Sequence, residues 1–571
     1  MELREYIEAA GRGESIWISR LREDWNASPA SAPLGLRLLL AGGGQRDISL
    51  GIPPWENAAE RDFVFNYLCA NVYNLLSLYG GCGLTLYFDS QNREMSQLLT
   101  WLREAFLSES SGYNKCVRTA RRLCAVLGAP EFDIYFAPLG DYSPAAETRE
   151  AGGSLAPVLH AAIEKAKQGS RLGIDVGGTD IKLAASYKGE PAAFKELDWN
   201  PERFQTAEEI IEPIVLLARL MGLRLEEKRR DVSLGLDRAM EKDCPLEDIA
   251  RLVEKAESHT AAEGFDSIGL SFPDVVINDR ICGGETPKTR GIREAPQAGY
   301  EAELARLGGL TLRLKKLCKP DGAVRCINDG NMAAFTAAVE LCAGGNEKDI
   351  RQGVLAHSLG TDLGTGWVRG DGRIPEMPLE LYDLLLDMGS FPAKALPPED
   401  LRSVVNENSA MAGLRRYLGQ AAVFRLVWDM KPELLEGFVS EEKGVLRIKT
   451  EPQDMRKPCL QHLMELAGEG VPEAAEAFRH IGRSLAQVTA ELEYLAPTGT
   501  RRRFLFGRFV GSRDCFELIA QGFHMILPEY ELRSADKKLA YSPLMAQLSH
   551  TGGGAVARLG QAVGALYYSL C

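Results

Sequence analysis

One stretch restricts the fold more than any other. It is Arg171-Leu172-Gly173-Ile174-Asp175-Val176-Gly177-Gly178-Thr179-Asp180-Ile181-Lys182-Leu183-Ala184-Ala185, an apolar run, a tight turn and a second apolar run. This pattern predicts two strands joined by Gly177-Gly178-Thr179. The two glycines permit backbone angles that a Cβ forbids and leave room for a ligand beside the main chain. Such a turn can aim backbone N–H groups at a phosphate. Thr179 adds a hydroxyl, and Asp175 a carboxylate that can hold Mg²⁺ directly or through water. A strand follows the turn, whereas a P-loop or Rossmann turn opens a helix, so neither of those motifs applies. The plain alternative is a hairpin whose glycines serve only its twist.

A second apolar run, Gly353 to Leu359, leads into Gly360-Thr361-Asp362-Leu363-Gly364-Thr365-Gly366 and then Trp367-Val368. Two strand–turn–strand phosphate candidates in one chain predict two related halves facing across a cleft. Between them, the strand Val324 to Ile327 feeds Asn328-Asp329-Gly330-Asn331 and a small-residue helix reaching to about Cys342. Asp329 then sits at a strand end, where the polar loops of an open α/β sheet gather. A carboxylate there can take the proton of a hydroxyl attacking phosphorus. Asn328 and Asn331 can each donate and accept, which suits a polyhydroxylated ligand. Helix capping by Asp329 or Asn331 is the competing role. Upstream, the strand Phe265 to Phe272 stops at Pro273-Asp274. Gly283 to Pro287 then forms a polar loop, suited to a substrate or to a surface turn. His357, inside an apolar strand, reads as a core histidine.

At 571 residues, 45% hydrophobic and 25% charged, the chain can build several large cores. Its 66 Lys and Arg against 79 Asp and Glu give −13, which disfavours general binding to nucleic acid or anionic membranes. No run of about 18 apolar residues is present to span a bilayer. The acidic start, Met1 to Glu5, is unlike a signal peptide. Twelve cysteines without a C-x-x-C pair predict neither zinc nor a disulfide framework, and point to the cytoplasm. Residues 1–150 read as a mixed α/β domain of unknown role, ending in a loop of small residues. A linker helix follows within 151–170. Residues 171–345 would form one half, with the first phosphate turn and Asp329. Residues 346–571 would form the other, with the second phosphate turn, a strand and turn near Gly507, and a last helix whose Gly560, Ala562 and Gly564 allow close packing.

Together these stretches resemble the repressor–open reading frame–kinase (ROK) family of sugar kinases, within the actin–hexokinase superfamily. Ile174 to Thr179 looks like the family's first phosphate motif, with Lys182 at a commonly polar position after it. Gly269 to Pro273 is similar to the strand leading into its sugar-binding loop. Asn328-Asp329 with Asn331-Ala333-Ala334 resembles its Asn-Asp-x-Asn-x-Ala-Ala signature, whose aspartate is the catalytic base. Gly360-Thr361 with Gly364 and Gly366 is similar to its second phosphate motif. Leu505 to Gly511 stands where the family has a Gly-Gly turn against adenosine, although Arg508 occupies part of it. The family's Gly-Glu-x-Gly-His segment and cysteine-rich zinc site are missing, and Glu380 is the nearest stand-in for the sugar-binding glutamate. No helix-turn-helix is legible in residues 1–150.

The resemblance implies an α/β, ribonuclease H-like (actin-like ATPase) fold duplicated around a cleft, plus the N-terminal domain. It implies ATP and Mg²⁺ and a sugar or polyol partner, with a homo-oligomer left open; the scattered cysteines argue for no zinc, and the charge balance with the lack of a legible helix-turn-helix argues for no nucleic acid or membrane partner. Asp329 would be catalytic. Asp175, Gly177, Gly178, Thr179, Lys182, Gly360, Thr361, Gly364 and Gly507 would hold the nucleotide, with Asp175 on the metal. Asn328, Asn331, Pro273, Asp274 and Glu380 would hold the acceptor. A non-catalytic sugar or nucleotide sensor, or an ATPase of the same superfamily, are the other classes.

Overall fold

A computed structural model of the chain describes residues 2–41, 43–144, 154–284, 286–295, 299–360, 363–389, 396–405, 412–413, 415–534, 539, 541–551 and 556–571. The chain divides into two compact units, each assembled from separated segments. One comprises residues 1–150, 357–364 and 377–534; the other comprises 151–356, 365–376 and 535–571. Most of the loop expected at the end of the N-terminal domain, residues 145–153, lies outside the described residues.

The N-terminal part of the first unit carries β1 (Ala32–Leu39), β2 (Gln45–Ile52), β3 (Gly83–Phe88) and β4 (Ile134–Pro138), in the order β2-β1-β3-β4. Helices α1 (Ile18–Ala27) and α2 (Ala58–Tyr79) belong to the same part. Tyr67 and Tyr73 of α2 are fully buried and serve the core. A buried polar network ties this part to the helix Pro472–Leu495. Arg22 Nη1 donates to Glu491 Oε2 at 2.8 Å, and Arg22 Nη2 to Asn71 Oδ1 at 2.7 Å. Asn74 Nδ2 donates to Glu491 Oε1 at 2.9 Å. Burying an ion pair is tolerable only when its remaining donors and lone pairs are met in this way.

The second unit is built on β5 (Ser170–Val176), β6 (Asp180–Tyr187), β7 (Glu190–Asp198), β8 (Phe265–Phe272) and β9 (Cys318–Asn328), in the order β9-β8-β5-β6-β7. The first three strands form an antiparallel meander, and β8 and β9 add parallel to β5. Side chains alternate between the two faces of a strand. On one face Leu172, Ile174 and Val176 of β5 join Ile214, Leu217 and Met221 of α3 (Ala207–Arg230) in a continuous core.

The opposite face receives the closing helix Val556–Tyr568 at unusually short range. A Cβ on Gly173 would stand 1.9 Å from the Ala562 carbonyl oxygen, and one on Gly269 1.7 Å from that of Ala565. Helix α4 (Asp329–Ala343) packs beside it, where Gly564 leaves room for Thr336 Oγ1. Glycine at these sites lets helix backbone lie directly on sheet backbone. Asp175 and Ser271, two residues further along the same strands, share this face.

A second sheet comprises β10 (Gly353–Leu359), β11 (Leu363–Arg369), β12 (Arg502–Phe506) and β13 (Glu531–Ser534), in the order β11-β10-β12-β13. Its strands β12 and β13 run parallel, and among the described residues no third meander strand follows β11 in this sheet. The fold is therefore α/β and ribonuclease H-like, duplicated as in actin-like ATPases, with an additional N-terminal α/β region. His357 lies wholly buried in β10. Burial, with the Arg503 guanidinium nearby, pushes its imidazole down to about 3, so it is a neutral core side chain. Among the described residues no helix is long and apolar enough to cross a membrane.

Candidate functional site

The Gly-Gly-Thr turn joins β5 and β6 as a tight hairpin, closed by the Gly177 N–H on the Asp180 carbonyl at 2.8 Å. Trp199, just after β7, grips it twice. Its Nε1–H donates to Gly177 O at 2.9 Å, and its backbone N–H to Thr179 O at 3.0 Å. In a trans peptide the N–H points opposite to the C=O. Holding the Gly177 carbonyl toward Trp199 therefore directs the Gly178 N–H to the other side, the orientation an anion needs. Thr179 is exposed at the tip.

Sheet register brings the next groups together. Asp175 pairs with Lys182 on β6 and with Ser271 on β8. Its Oδ1 accepts from Ser271 Oγ at 2.9 Å. Burial pushes the Asp175 carboxyl up to about 6, opposed by Lys182 and the Ser271 hydroxyl, with Asp329 and Asp180 adding to the rise. Lys182 Nζ itself lies 2.7 Å from Asp180 Oδ1. Among the described residues no group of three or more His, Cys, Asp or Glu is arranged to hold an ion. A single carboxylate fits Mg²⁺ well, because that ion keeps several waters and takes its other ligands from phosphate.

Asp329 opens helix α4. Asn328 caps the helix, its Oδ1 accepting from the Gly330 N–H at 2.8 Å, while its Nδ2 donates to the Asp274 carbonyl at 2.9 Å. Gly330 is required by close approach: a Cβ there would stand 2.1 Å from Thr365 O. Asn331 is buried and accepts from the Trp367 N–H at 2.9 Å. Cap, glycine and asparagine thus lock the first turn of the helix, and both asparagine oxygens face backbone N–H groups. Asp329 is left one-third exposed, with Lys288 Nζ 3.3 Å from its Oδ2.

Pro273 and Asp274 are buried under this end of the sheet. Asp274 Oδ1 accepts the Val275 N–H at 2.7 Å and also the Gly284 N–H, pinning both ends of the intervening loop. Within that loop Asn278 and Asp279 both have positive φ, as a two-residue hairpin turn demands.

The remaining expected residues belong to the other unit. Gly360 ends β10, where its carbonyl accepts the Gln420 N–H at 2.9 Å. Gly507 has φ +99° and lies so close to Leu359 that a Cβ would stand 2.2 Å from its carbonyl oxygen. The turns bearing Gly360, Gly364 and Gly507 are thus neighbours. Glu380 is buried with its N–H on Ser77 O at 3.2 Å. Thr361 lies outside the described residues.

Trp199 and Lys288 were not legible from motifs. Each meets the Gly-Gly-Thr turn across a chain separation that no local pattern encodes.

The fold is of the ribonuclease H-like, actin-like class. No protein-family model matches it, and no curated protein matches it. Among solved structures it is similar to a ROK family glucokinase from Streptomyces griseus, in complex with glucose and AMPPNP. That match has 17% identity over 70% of this chain and 99% of that one, with a TM-score of 0.39. It is also similar to a ROK hexokinase from Thermus thermophilus, at 17% identity over 70% and 97%, TM-score 0.38. A third similar structure is a ROK family transcriptional regulator, homolog of the E. coli MLC protein. There the identity is 13% over 89% and 99%, with a TM-score of 0.36.

Proposed function

We propose that the chain is an ATP-dependent sugar kinase, transferring the γ-phosphoryl group to a hydroxyl of a sugar or polyol in the cytoplasm. The observation that carries this reading is the setting of Asp329. Its carboxylate is partly exposed on a rigid helix start, on the same unit as a turn whose Gly178 N–H is pre-oriented for phosphate. Gly177, Gly178 and Thr179 would hold phosphate oxygens, with Lys182 beside them. Asp175 would hold Mg²⁺, which when bound supplies neutralisation of phosphate charge. Gly360, Thr361, Gly364 and Gly507 are proposed to contact nucleotide from their own unit.

Asp329 accepts the proton of the acceptor hydroxyl as its oxygen bonds to phosphorus. The bond from phosphorus to ADP breaks in line, and its electron pair leaves on ADP. Fixed charges and dipoles supply most of the acceleration, because little covalent chemistry falls to the protein.

A screen of sugars and polyols for ADP release and phosphorylated product, with Mg·ATP, tests the reading. Asp329→Ala should keep nucleotide binding and lose about 10²-fold or more in turnover. Full turnover by that variant would remove Asp329 from the role. A second reading, a non-catalytic sugar or nucleotide sensor, is favoured by the engagement of Asn328 and Asn331 with backbone. It predicts ligand binding without ADP.

A further inference from the structure

We infer that Lys288 contacts the phosphoryl group in flight, as a second catalytic side chain beside Asp329; this rests on the kinase reading. Its stem crosses the Gly-Gly-Thr turn, Cε lying 3.4 Å and Cγ 3.7 Å from where a Cβ on Gly178 would stand. Its ammonium ends 3.3 Å from Asp329 Oδ2. One cation therefore reaches from the phosphate turn to the base, across the space a terminal phosphate must enter to meet an acceptor hydroxyl. A Cβ at 178 would meet the lysine stem at ordinary van der Waals distance, so the stem lies in direct contact range of the turn.

The segment bearing Lys288 is braced. Thr289 is buried, with its Oγ1 3.2 Å from Thr286 O and 3.3 Å from Tyr300 Oη. Gly291 packs so closely that a Cβ would stand 2.3 Å from Phe204 O. Lys288 itself is about one-third exposed (32%), so an incoming phosphate can reach it. An ammonium carries three donors and can bond a phosphate oxygen while remaining beside a carboxylate. During transfer Lys288 gives up no proton and no electrons. It holds the non-bridging oxygens while the hydroxyl proton passes to Asp329 and the ADP oxygen takes the electron pair of the breaking bond.

The test is calorimetric titration of the full chain with Mg·AMP-PNP and with Mg·ADP, for wild type, Lys288→Met and Lys288→Arg, with melting curves confirming folding. Lys288→Met should weaken the triphosphate analogue about 10- to 100-fold, the range of a charged hydrogen bond. ADP should change by less than about twofold, and Lys288→Arg should recover part of the loss. Equal effects on both nucleotides, or none on the analogue, would overturn the assignment. A wild type that binds both nucleotides yet phosphorylates no acceptor would defeat the kinase reading and the catalytic role of Lys288 with it; a loss selective for the triphosphate would then uphold only its contact with the terminal phosphate. A wild type that binds neither nucleotide overturns both.

Discussion

At position 199 one residue engages the Gly-Gly-Thr turn through both its indole and its backbone nitrogen, at 2.9 and 3.0 Å. Replacing Trp199 by Phe removes only the indole donor, and with it the restraint on the Gly177 carbonyl. One neutral hydrogen bond is worth about 1 kcal/mol, so Mg·ATP should bind about fivefold more weakly while the chain stays folded. Unchanged affinity by calorimetry would mean the turn orients itself. The turn and the Asn-Asp-Gly-Asn run were legible because glycine and short polar residues in a row have few other uses. Trp199 and Lys288 were not, because an indole or an ammonium carries no local signal of what it will meet. Asn328 and Asn331 read as ligand groups from their donor and acceptor capacity; the cap and the Trp367 contact that engage them depend on tertiary neighbours.

Among elements, the closing helix is the most exacting. Its backbone lies where a Cβ on Gly269 would be, only 1.7 Å from Ala565 O. Gly269→Ala should therefore cost about 3 kcal/mol or more, the upper range for overpacking, read as a fall in urea midpoint. A wild-type midpoint would show that the helix can shift without loss. The helix and its small residues were visible in the sequence, as were β5, β6 and β8, through sustained apolar runs. The strand partners of Gly173 and Gly269 were not, since spacing says nothing about which glycines will face each other. In the other unit, Glu491→Ala leaves Arg22 buried without its carboxylate. Such a break costs about 3–5 kcal/mol, and a loss below about 1 kcal/mol in denaturant titration would refute the proposed importance of the network.

Over the whole molecule, acid should expose the buried histidine. Because His357 is held neutral down to about 3, the unfolded chain takes up a proton that the folded chain refuses. Between pH 6.5, the ordinary imidazole value, and about 3, this group removes about 1.4 kcal/mol of stability per pH unit; above 6.5 it has no effect. His357→Leu should flatten the fall in urea midpoint between pH 6.5 and 5 relative to wild type, and parallel curves would contradict the sign. The composition of the units was the least legible feature. Residues 1–150 share a unit with 377–534, and contacts such as Arg22 with Glu491 link residues far apart in the chain. The discontinuity also bears on synthesis. The sheet of β5 to β9 is translated long before residues 556–568, which cover its glycine-lined face. At about 5–20 residues per second, that face must wait about 10–45 seconds on the ribosome for its own last helix. The nascent chain thus carries an uncovered glycine-lined surface through much of the second half of its elongation, and its yield in a cell depends on what shields that surface meanwhile.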